Sequence, residues 1–205
     1  MKQPLISNVR IYGLEESVIA SGYPMLSKPL NESEFNQKID DYKDNLTGEK
    51  RAKTLGTVDT GTGHDNYLNG IIVQFDLAFT NKAWTEAERY HFFDFVSSMS
   101  TIHKLTVMNL DDSYNEYVDK RIIEIVEEKQ QAYIDNPTRE NKLALLYNNP
   151  SGMILPARMT TNYRQLKTIY HQRKNHTLPE WQEFCKWCLT LPKFKEYVLK
   201  EDANV

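Results

Sequence analysis

The sequence predicts an α/β protein, an α+β arrangement in which a mixed sheet is flanked by long helices. Three observations carry that expectation. LISNVRIY at 5–12 and GIIVQFDLAF at 70–79 alternate apolar and polar residues with the period of two that a half-buried strand requires. Segments whose apolar residues return every three or four positions follow each of them, the spacing of a helix that buries one side. At 205 residues the chain suffices for one core of ordinary size, so a single domain over 1–205 is expected.

Taken in order, the opening strand leads into GLEESVIASGYPML, a short amphipathic helix broken near Gly22 and Pro24. NESEFNQKIDDYKDNL carries a cap at Asn31 or Ser33 and repeats Phe35, Ile39, Tyr42 and Leu46 at helical spacing. TGEKRAKTLGTVDTGTGHDN, rich in glycine, threonine and charge, reads as a long loop. After the second strand, TNKAWTEAERYHFFDFVSSMSTIHKL reads as a helix capped at Thr80 or Asn81. Its aromatic stripe is Trp84, Tyr90, Phe93 and Phe95, and it loses regularity at Ser97, Ser98 and Ser100, whose hydroxyls compete for backbone hydrogen bonds. DDSYNEYVDKRIIEIVEEKQQAYIDNP is a further helix expected to bury Tyr117, Ile122, Ile125, Val126 and Tyr133. TRENKLALLYNNP is a shorter one. EWQEFCKWCLTLPKFKEYVLK is a helix entered through Pro179 and interrupted at Pro192.

Composition narrows the function classes. A net charge of -3 with a pI near 6.0 argues against a general nucleic-acid coat, so an anionic ligand must meet a local basic cluster. No apolar run is long enough to span a bilayer, and MKQPLISNVRIYG lacks the apolar centre of a signal peptide; a soluble cytoplasmic protein without membrane contact is expected. Cys185 and Cys188 read as ordinary residues sharing one face of a late helix. His64, His91, His103, His171 and His176 form no metal-ligand spacing, so no metal is expected. Hydrolase, P-loop and GxGxxG signatures are absent from the sequence.

The stretch Gly152–Pro192 concentrates polar chemistry. A helix beginning near Thr161 places Asn162, Arg164, Lys167, Arg173, Lys174 and His176 among few aliphatic residues. Arginine offers a planar fork of donors suited to phosphate, carboxylate or a pyrimidine edge, and two of them nine apart suggest a shared grip on one anion. The same pattern also describes a solvated helix face.

Three segments together are more informative: the Gly63-His64 loop entering a strand, the Arg89-Tyr90-His91 run ahead of the serines, and NYRQLKTIYHQR followed by Trp181 and Glu183. In that order and spacing the chain resembles the flavin-dependent thymidylate synthases from about residue 9 to 195. The resemblance implies FAD as cofactor, methylenetetrahydrofolate and NADPH as co-substrates, and one-carbon transfer to dUMP or a related pyrimidine nucleotide. It also implies a homotetramer. By resemblance, His64, Arg89, Tyr90, His91 and Asn162 line the flavin, and Arg164, Arg173, Ser97, Ser98 and Ser100 contact the nucleotide. Arg173 would favour the activated uracil electrostatically. The family's RHR motif stands here as Arg89-Tyr90-His91, and its acidic, serine-rich run as SSMSTIH. The nucleotide side of the pattern is kept and the flavin side altered. The alternative is a non-catalytic nucleotide- or protein-binding chain on the same scaffold.

Overall fold

The computed structural model describes residues 4–200. In chain order its regular elements are β1 (Ile6–Tyr12), α1 (Leu14–Ala20), α2 (Glu32–Asn45), α3 (Glu49–Gly56), β2 (Ile72–Thr80), α4 (Asn81–Ala87) and β3 (Phe93–Ser98). There follow α5 (Thr101–Lys104), α6 (Lys120–Asp135), α7 (Arg139–Tyr147), β4 (Ile154–Asn162), α8 (Tyr163–Arg173), α9 (Pro179–Cys188) and α10 (Phe194–Val198). The strands form one sheet in the order β1-β2-β4-β3, antiparallel throughout, which leaves β1 and β3 as edges. The α/β class expected from the sequence holds.

The chain divides into two compact units, and each of the four strands has residues in both. The first takes the chain through Ser7, then Asp76–Arg89 and Phe95–Met159. Its core gathers Leu105, Leu110, Tyr114, Val126, Leu145 and Met153, with α6 and α7 packed as a hairpin. Thr80 caps α4 by accepting from the Ala83 amide at 3.2 Å, and the Trp84 indole donates to the Leu155 carbonyl at 2.9 Å.

The second unit takes Asn8–Phe75, Tyr90–Asp94 and the chain from Thr160 onward. Its core is aromatic: Phe75, Phe93, Trp181, Phe184 and Trp187 meet with ring centroids 4.7 to 6.5 Å apart. Asn31 caps α2 in a complete capping box with Glu34. Glu49 accepts from Tyr197 at 2.6 Å and Tyr42 at 3.2 Å and pairs with Lys193 at 3.0 Å, which ties α10 to the start of α3.

Four expectations are corrected. The helix read across 80–105 stops at Ala87, and FDFVSS becomes the edge strand β3. Met99 bonds the Pro156 carbonyl at 3.0 Å just beyond it, pairing that a β-rich segment gains only once β4 is present. The aromatic stripe is thereby divided, with Trp84 against Phe95 in the first unit and Tyr90 and Phe93 against Trp181 in the second. The long loop contains α3: Gly48 turns the chain at φ 96°, Ala52 is fully buried, and Arg51 donates to Ser21 Oγ and the Val18 carbonyl. Strand β4 is an addition to the expected elements: the helix expected from near Thr161 starts at Tyr163, and Ile154–Asn162 ahead of it is extended, with Pro156 as its third residue. Finally, α6 buries Val126 but leaves Ile122, Ile125 and the preceding Tyr117 exposed.

Candidate functional site

Helix α8 is where the predicted basic stretch acquires geometry. Asn162 sits in extended backbone as its N-cap and accepts from the Gln165 amide at 2.8 Å, so its side-chain oxygen serves the helix start. Arg164 follows in the first turn. Its Nε donates to Asp65 Oδ1 at 3.1 Å, and its two Nη groups have no partner among the described residues. The arginine side chain is 30% exposed, while Asp65 is fully buried.

Asp65 immediately follows His64 in the glycine-rich loop. Its other oxygen accepts from Lys167 Nζ at 2.8 Å. Lys167 is one helical turn beyond Arg164, is 2% exposed, and spends its remaining donors on the Gly56 carbonyl at 2.8 Å and the Val58 carbonyl at 2.6 Å. All three ammonium protons therefore have acceptors, which is what allows a lysine to stay charged inside a protein. Two cations face one carboxylate, so the cluster keeps one positive charge, and the exposed member carrying it is Arg164. Lys167 belongs to the polar stretch read from the sequence, but Asp65 does not stand out there, and nothing local indicates that a loop aspartate and a helix lysine 102 positions apart will meet.

Arg173, at the far end of α8, has a different environment. Nine residues advance a helix by about 14 Å and half a turn, so Arg164 and Arg173 leave opposite faces and do not converge on one phosphate within this chain. The Arg173 guanidinium lies 5.1 Å from the Trp181 ring and 5.6 Å from the Tyr90 ring, and its Nε donates to the Tyr90 hydroxyl at 2.7 Å. That hydroxyl donates in turn to Gln172 at 3.1 Å. The structure thus brings together two of the predicted residues, Tyr90 and Arg173, as a buried stack.

His64 and His91 are exposed in the second unit; Arg89, Ser97, Ser98 and Ser100 are exposed in the first. Arg89 and His91 lie in the turn between α4 and β3 and not on a helix. Ser97 and Ser98 end β3, and Ser100 precedes α5 without capping it through its side chain. Cys185 and Cys188 are buried, unbonded thiols; burial pushes Cys185 up to about 12 and Cys188 upward too, so neither forms a thiolate nucleophile at neutral pH. Among the described residues no group of histidine, cysteine and acidic side chains could hold a metal. A cavity of about 250 Å³ lined by Ile19, Tyr23, Met25, Leu26 and Arg51 holds none of the predicted site residues. Among the described residues no helix is long and apolar enough to cross a membrane.

No protein-family model and no curated sequence matches the chain. Solved structures do. The flavin-dependent thymidylate synthase ThyX from Helicobacter pylori, complexed with FAD and dUMP, superposes with a TM-score of 0.70 at 15% identity, covering 96% of this chain and 100% of that one. A second structure of the Helicobacter pylori enzyme with FAD and dUMP gives 0.66 at 15% identity, over 95% and 97%. The likeness covers nearly the whole length in three dimensions, and the chain has the fold of the flavin-dependent thymidylate synthases.

Proposed function

We propose that this chain is a divergent flavin-dependent thymidylate synthase-like protein that binds a pyrimidine nucleotide, dUMP or a relative, for one-carbon transfer. The observation that carries the reading is Arg164, held by its Nε in the first turn of α8, with neither Nη group partnered among the described residues, in a cluster of net positive charge. A planar pair of donors at the positive end of a helix suits a phosphate or a pyrimidine edge. FAD, when bound, would supply the hydride and relay chemistry, and the exposed donors this chain leaves for it are His64, Arg89 and His91. Tyr90 and the Asn162 oxygen already serve the fold. Ser97, Ser98 and Ser100 remain proposed nucleotide contacts. Exposed apolar side chains at Phe95, Val96, Ile122, Ile125 and Tyr147 support a homo-oligomer, which light scattering would measure.

The test is a spectrum of the purified protein followed by thermal unfolding with dUMP and with FAD. A ligand at 100 times its dissociation constant stabilises by about 2.7 kcal/mol, a shift of about 5–11 °C for a chain of this size. Stabilisation by both, with a flavin absorbance band, supports the enzyme reading. Stabilisation by neither refutes it.

A second reading is favoured by the Tyr90–Arg173–Trp181 stack, which commits to packing an arginine the family pattern assigns to the nucleotide. On this reading the scaffold binds a nucleotide or a protein without turnover. Stabilisation by dUMP, a colourless protein and no response to FAD would select it.

A further inference from the structure

The buried pair beside Arg164 has a role that follows from its geometry, given that Arg164 is the nucleotide contact as proposed above. We propose that Asp65 and Lys167 are positioning residues: Asp65, neutralised by Lys167, clamps Arg164 by its Nε and presents both Nη groups as a prepared fork for an oxyanion such as a nucleotide phosphate.

The argument rests on which atoms are used. An arginine approached at Nε keeps the fork between its two Nη groups open, whereas a carboxylate bound end-on would occupy that fork. Asp65 can hold the guanidinium this way because its own position is fixed: Lys167 Nζ bonds its second oxygen at 2.8 Å, and two further bonds to Gly56 and Val58 fasten the other end of the same loop. Without Lys167 a fully buried carboxylate would face one partly exposed arginine. With it, the carboxylate is overcompensated, and Asp65 orients Arg164 without cancelling its attraction for an anion. The plane of the guanidinium is set before ligand arrives, so little side-chain freedom is left to lose on binding. The cluster also fixes the backbone next to His64, so loop and helix share one anchor.

The experiment measures dUMP affinity by titration calorimetry for wild type, Asp65→Asn, Lys167→Met and Arg164→Met, with unfolding temperatures and ¹⁵N relaxation of the Arg164 Nε–H in ligand-free protein. Asp65→Asn is expected to weaken dUMP by between about threefold and tenfold, the loss that corresponds to immobilising one flexible side chain, and to make the Arg164 Nε–H mobile. Arg164→Met is expected to weaken it further. Should Asp65→Asn fail to fold, Asp65→Glu keeps the charge while lengthening the arm, and the same weakening and mobility are expected. Wild-type affinity in the Asp65 variants, beside loss in Arg164→Met, overturns the positioning role and leaves the nucleotide reading standing. A weakened affinity with a rigid Arg164 Nε–H overturns it equally, since that pattern belongs to general destabilisation. If Arg164→Met binds dUMP like wild type, or wild type binds neither dUMP nor inorganic phosphate, the nucleotide reading falls and this proposal with it.

Discussion

Replacing Lys167 by methionine removes a buried charge while keeping an unbranched side chain one atom shorter, and its effect on stability can be worked from the contacts. The ammonium satisfies three buried acceptors, Asp65 Oδ2 and the carbonyls of Gly56 and Val58. Methionine satisfies none of them. Breaking a buried ion pair from one side typically costs about 3–5 kcal/mol, because the surviving charge remains desolvated. At about 2–4 °C per kcal/mol for a chain of this length, the unfolding temperature should fall by about 6–20 °C, and calorimetry would read it directly. The double variant Lys167→Met with Asp65→Leu separates the charge from the packing. Removing both charges should cost less than the sum of the single changes by about 2 kcal/mol or more, while the two carbonyls stay orphaned in both backgrounds. A fall below about 2 °C for Lys167→Met, or strict additivity in the cycle, would refute the reasoning that the pair is buried and coupled.

The remaining predictions concern residues whose structural and functional readings diverge. Tyr90→Phe should destabilise by about 1 kcal/mol through the lost bonds to Arg173 and Gln172, and Arg173→Ala by more because it forfeits the contacts with both rings; equal effects in urea unfolding would contradict the stack. Asn162→Asp should retain the α8 cap and stability within about 0.5 kcal/mol, whereas Asn162→Ala should lose about 1 kcal/mol by thermal unfolding. A flavin role for Asn162 would appear as weaker FAD binding in the aspartate variant at unchanged stability. Cys185 and Cys188 should resist an aryl disulfide reagent at pH 8 in native protein and react on unfolding. Because the folded Cys185 sits above its ordinary 9.0, its contribution to stability is complete below pH 9 and is lost as pH rises towards about 12; Cys185→Ala should therefore soften the alkaline unfolding profile.

What the sequence disclosed was what neighbouring residues decide. The alternation in IVQFDLAFT becomes a strand burying Val73, Phe75, Leu77 and Phe79, and of the paired cap candidates Asn31 or Ser33 and Thr80 or Asn81 the structure uses Asn31 and Thr80. Non-local pairing was not legible. FDFVSS follows a good helix and continues its aromatic spacing, so only its pairing with β4 reveals it as a strand. That partner, Ile154–Asn162, runs directly into the polar helix and is likewise revealed by its pairing. In the candidate site, Arg164 and Asn162 were visible as residue types at a helix start. The environments of Arg173 and Lys167 were not, because a basic residue's partner 83 or 102 positions away leaves no mark beside it.

The three bonds of Lys167 also make the loop's native contacts depend on a distant segment. The segment from Gly56 to Asp65 takes its final shape only when α8 has formed, more than one hundred residues later in the chain. During synthesis, that loop is therefore complete in sequence long before it can be complete in structure. Protease cleavage between Gly56 and Asp65 should vanish in the same kinetic phase that protects α8, making this loop a reporter of its docking onto that helix.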